Sequence, residues 1–87
     1  MKAKYSFEFM DLEDGLVAVP VGEGAQQFHG VLKVNETAAA ILKLLADDIT
    51  EQEITDALLK EYKGERKQVG LYVHQFVEKM VSEGIVE

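Results

Sequence analysis

The spacing of apolar residues changes once along this chain, at Asn35, and that change restricts the fold more than any other feature. Before it, apolar side chains alternate with polar ones in short runs; after it, they recur every third and fourth position. Strands followed by helices make an α+β order. No repeat, low-complexity tract or linker interrupts the 87 residues, so residues 1–87 read as one domain.

From Tyr5 to Met10 the alternation is strict, with Tyr5, Phe7 and Phe9 on one face and Ser6, Glu8 and Met10 on the other. Asp14-Gly15 is a tight-turn dipeptide, because both residues tolerate positive φ. Leu16–Val21 reads as a second strand, apolar enough to be central, with its regular part ending near Pro20, which has no N–H to donate. A loop from Gly22 to Gly30 leads to a short third strand, Val31–Val34, with Leu32 and Val34 facing the core. Together these predict a three-stranded antiparallel β-meander.

Three helices follow. Asn35 suits an N-cap, and Ala38, Ile41, Leu42 and Leu45 form one stripe in a helix predicted to reach about Asp47. Thr50-Glu51-Gln52-Glu53 matches a capping box, opening a helix with Ile54, Ala57, Leu58 and Tyr62 inward and Gly64 as its stop. The last helix spans Arg66 to about Glu83, with Val69, Val73, Phe76 and Met80 on its stripe. Gly84-Ile85 then suits a Schellman end. Short connections imply a winged helix-turn-helix-like bundle.

Composition excludes several function classes. Nine basic residues against sixteen acidic ones give a net charge of −7, a poor balance for neutralising phosphates. The densest basic group, Lys60, Lys63, Arg66 and Lys67, is interleaved with Glu61 and Glu65. The absence of cysteine points to a reducing cytoplasm and removes thiolate metal sites. No run approaches the roughly 20 apolar residues of a spanning helix, and the N-terminal residues lack the apolar stretch of a signal peptide.

Catalytic chemistry finds no candidate. His29 and His74 are far apart in sequence, and Glu78, four residues from His74, makes at most a pair rather than a metal site. Gly22-Glu23-Gly24 lacks a third glycine and leads into a strand, so it cannot cradle a phosphate at a helix N-terminus. Ser6 and Ser82 have no neighbouring base. The expectation is a non-enzyme with no catalytic residues, no metal and no cofactor.

Two features call for a partner. Strand three is an edge in a 1-2-3 meander and offers unpaired backbone groups, although its shortness and Lys33 are also common protections against pairing. Leu71 points away from the apolar stripe of helix three. A lone exposed leucine usually means nothing, yet beside an open strand Leu71 and Tyr72 would line a groove for one extended peptide.

At this point the sequence resembles the PqqD family, whose members are RiPP recognition elements named for pyrroloquinoline quinone biosynthesis protein D. The resemblance rests on Val19-Pro20-Val21-Gly22, on residues 30–37 with their Val34-Asn35-Glu36-Thr37 core, on Thr50–Leu58, and on Val77–Val86. It implies a winged-helix-like domain that binds the leader of a ribosomally made precursor peptide. The leader adds as a strand to strand three and lies against helix three. Stand-alone members hand it to a modifying enzyme, often a radical SAM enzyme. Carried onto this chain, the strand contacts are Val31, Leu32, Lys33 and Val34. The helix contacts, inferred from the helix face, are Gln68, Leu71, Tyr72, Gln75, Phe76 and Lys79. The segment Gln26-Gln27-Phe28-His29 falls in a variable region of the family and does not identify the peptide.

The alternative from residue pattern is a winged-helix DNA-binding regulator, disfavoured by the mixed charge of helix three. A third reading is an oligomerisation domain, with Tyr5, Phe7 and Phe9 supporting a homodimer.

Overall fold

The structure, a computed structural model, describes residues 1–22 and 30–87. The alternating stretch forms β1, Ser6–Leu12, antiparallel to β2, Gly15–Val21, in a register running from Ser6 opposite Val21 to Leu12 opposite Gly15. β1 is longer than its pattern predicts, and the turn is shorter. Glu13 and Asp14 alone join the strands, while Gly15 already belongs to β2. β2 also runs through Pro20 to Val21. Pairing with β3, Leu32–Val34, stops at Ala18, so no described strand on that side needs the missing N–H of Pro20. The sheet order is β1-β2-β3, an antiparallel meander with β1 and β3 at its margins.

α1 spans Glu36–Leu44. The Asn35 side chain accepts the Ala38 N–H at 2.8 Å, as its N-cap role requires. The helix closes three residues before the expected Asp47. The Ala46 and Asp47 N–H groups turn back onto Lys43 and Leu44 at 3.3 Å, and the Leu45 carbonyl instead accepts the Ala3 N–H at 2.9 Å. α2 spans Glu51–Glu61 with the capping box formed in full: the Glu53 N–H donates to Thr50 Oγ1 at 3.1 Å, and the Thr50 N–H donates to Glu53 Oε1 at 3.0 Å. Thr50→Ala is expected to cost about 1 kcal/mol, read as a lower midpoint in urea; an unchanged midpoint would mean that water serves these donors equally well.

Tyr62 is not inward as expected. It terminates α2 in extended conformation and stands exposed, so the tyrosine leaves the helical stripe. Gly64 is not in a left-handed conformation either. Its smallness serves packing, since a Cβ there would lie 3.1 Å from a Val69 methyl.

α3 spans Arg66–Ser82. Its end is the expected Schellman motif. Gly84 at φ 77° lets its own N–H reach Val81 at 3.0 Å and the Ile85 N–H reach Met80 at 2.8 Å. Ile85 folds back into full burial. The core joins Ala18 of the sheet to Ile41, Leu42 and Leu45 of α1, Ile54 and Leu58 of α2, and Val73, Val77 and Met80 of α3, closed by Ile85 and Val86. The opening residues knit into this end of the core, with the Lys4 N–H on Ile85 at 2.7 Å and a bridge between Ala3 and Val86.

Candidate functional site

β3 is three residues long and pairs with β2 on one side: Leu16 with Val34, Val17 with Lys33, Ala18 with Leu32. Leu32 and Val34 are half-buried toward the core, whereas Lys33 and Val31, the latter just outside the strand, are exposed. The other margin of β3 has no described strand beside it.

Asn35, the first residue after β3, also locates α3. The Tyr72 hydroxyl donates to Asn35 Oδ1 at 3.4 Å, a long contact that nonetheless fixes which flank of α3 turns toward the β3 end. At about 100° per residue, Gln68, Tyr72, Phe76 and Lys79 share that flank. Gln75 sits at its outer border. Leu71 lies about 100° farther round than Tyr72 and is 57% exposed, against 37% for Tyr72. Just past the end of β3 a cavity of about 370 Å³ opens between the start of α1, the end of α2 and the first turns of α3, lined by Leu58, Tyr62, Val69 and Tyr72 together with Asn35 and Gln68. An apolar pocket with a few polar groups at the end of a strand can take a side chain from an extended segment that runs along the strand and past it.

The opposite flank of α3 is fastened to α2. Arg66 pairs with Asp56 at 2.7 Å, and Gly70 approaches the Thr55 side chain. Thr55, which the apolar stripe of α2 did not include, is buried, and its hydroxyl is satisfied there by donating to the Glu51 carbonyl at 2.9 Å. His74 stands between two carboxylates, with Nδ1 2.9 Å from Glu51 and Nε2 3.2 Å from Glu78. The Glu78 pairing was readable from the i,i+4 spacing; Glu51, on another helix, was not.

Hydrogen bonding to Glu51, followed by the charges of Glu51 and Glu78, raises the His74 pKa above 6.5. Only the imidazolium carries an N–H for each carboxylate. Its pKa is higher folded than unfolded, so this stabilisation is complete below about pH 6.5 and disappears as pH climbs through the raised folded value. His74→Gln is expected to flatten that part of the stability–pH curve, measured by urea denaturation between pH 5 and 9. A wild-type slope unchanged by the substitution would discount the bridge.

His29 lies outside the described residues. Among those described, no group of three or more His, Cys, Asp or Glu is placed to hold a metal, and no helix is long and apolar enough to cross a membrane.

Residues 10–86 match the family described as coenzyme PQQ synthesis protein D, PqqD. No curated protein matched the sequence. Two solved structures share the fold. One is TbiB1 in complex with the TbiA(beta) leader peptide, with TM-score 0.71 and 21% identity over 100% of this chain and 95% of that one. The other is lasso peptide synthetase B1 complexed with the leader peptide, with TM-score 0.66 and 20% identity over 97% and 93%.

Proposed function

We propose that this chain, which belongs to the PqqD family, binds the leader region of a ribosomally synthesised precursor peptide and presents it to a modifying enzyme. The observation that carries this reading is the short β3 margin with no described strand beside it, which ends at Asn35, where the Tyr72 flank of α3 and an apolar cavity begin. The leader lies along Val31–Val34 as a fourth strand. Backbone bonds supply sequence-tolerant affinity, and the cavity selects one apolar side chain. Gln68, Tyr72, Phe76 and Lys79 line the facing flank, with Gln75 and Leu71 as the outer lip. That both fold relatives were solved with leader peptides supports the same use of the fold here.

Such a protein acts by binding, with no chemistry or cofactor of its own. Its enzyme partner is of the radical SAM class or another peptide-modifying class, and the setting is the cytoplasm. DNA is a poor alternative, because Arg66 at the head of α3 is already paired with Asp56 in a chain of net charge −7.

The test is a titration of the isotope-labelled protein with synthetic leader peptides of candidate precursors. Amide shifts are expected along Val31–Val34 and the Tyr72 flank. Saturable binding with shifts confined elsewhere would refute the site.

A further inference from the structure

The sheet has a second margin, and it is built differently. β1 borders α1 along a narrow groove of about 190 Å³, lined by Phe7, Phe9, Leu42, Lys43 and Ala46. At the Ser6 end the groove continues into a wider depression of about 410 Å³ that shares Tyr5, Ser6 and Ala46 with it and adds Lys2, Lys4 and Glu87. The Lys43 ammonium stands 5.1 Å from the centre of the Phe9 ring, so the ring holds a cation over the aromatic wall.

The charge of this surface departs from that of the chain. Overall, nine cations face sixteen anions. Around the joined groove, Lys2, Lys4 and Lys43 face Glu87 alone among the charged lining residues. A cationic strip beside phenylalanine walls recognises carboxylates spaced along an apolar segment. The narrow part admits side chains but not a helix, whose diameter is about 10–12 Å. An extended segment fits: its apolar side chains at alternate positions enter between the phenylalanine walls, and the carboxylates between them stay at the rim, within reach of the long lysine side chains. A polyphosphate would meet the lysines but leave the phenylalanine walls without an apolar partner. A second copy of this chain, of net charge −7, would bring its whole anionic surface against this one, whereas a short acidic segment brings only the carboxylates that the lysines meet.

We propose that the groove between β1 and α1 is a second docking site, which takes an extended segment of a partner protein carrying alternating acidic and apolar side chains. β1 and β3 are opposite margins of one sheet, so this segment and a peptide on β3 can be held together without competing. The site does not depend on the leader-binding reading, and either can fail alone.

The experiment uses the whole isotope-labelled chain and two synthetic probes, one alternating glutamate with phenylalanine and one alternating lysine with phenylalanine. The glutamate probe is expected to shift the amides of Phe7, Phe9, Lys43 and Ala46, with an affinity that falls as salt is added. Lys43→Glu and Lys4→Glu are each expected to weaken it about fivefold. Lys4 is not the cation held over Phe9, so its variant separates charge from packing. Tyr72→Glu should leave this binding unchanged. Equal binding of the lysine probe, shifts mapping to β3 and α3, or indifference to both lysine reversals would overturn the proposal.

Discussion

Tyr72→Glu is expected to reduce leader affinity by about 2 kcal/mol, roughly thirty-fold, while the protein keeps its fold. The ring forms one wall of the cavity just past the end of β3, and the replacement sets a carboxylate where an apolar side chain would enter. Tyr72 is more than a third exposed, so the folded state should lose little. Tyr72→Phe separates the two roles of the side chain: it keeps the wall and removes only the long hydroxyl contact to Asn35, so binding should stay near wild type. Leu71→Glu, about 100° farther round α3, should weaken binding less. Calorimetry with the cognate leader reads all three. An affinity unmoved by Tyr72→Glu would remove this flank from the site, and a larger loss at Leu71 than at Tyr72 would move the groove to the outer face of α3.

Ile85→Ala should have the largest effect on stability, about 2–5 kcal/mol. Ile85 is wholly buried and its N–H closes the Schellman turn on Met80. Its carbonyl also accepts the Lys4 N–H, so a cavity there loosens the end of α3 and the opening segment together. Against a total of roughly 4–13 kcal/mol for a chain of this length, that leaves a marginal protein. A shift in the urea midpoint worth under about 1 kcal/mol would show that neighbours collapse into the space.

Much of the architecture was legible because local chemistry decides it. The period-two run of β1, the Asn35 cap, the Thr50 capping box and the Gly84-Ile85 ending each involve residues within a few positions of one another, and each formed. Expectations failed where a distant group intervened. α1 stops early because the Leu45 carbonyl is taken by Ala3, far away in sequence. Gly64 looked like a helix stop from its position, yet its smallness answers to Val69 on the next helix. The Glu51 partner of His74 lies on another helix, and no spacing rule reaches it. The candidate groove shows the same division. Exposure of Leu71 followed from the wheel, but the nearer flank, marked by Tyr72, needed the Asn35 contact. The groove beside β1 needed both the sheet and α1 in place; in sequence Phe7 and Phe9 read as one face of a strand and as support for a homodimer.

The bridge between Ala3 and Val86 clasps two stretches that almost the whole described fold separates along the backbone. Loop closure over that span costs entropy before the clasp returns any of it. The clasp therefore forms after the sheet and helices between them are in place, and it reports on the integrity of all of them at once.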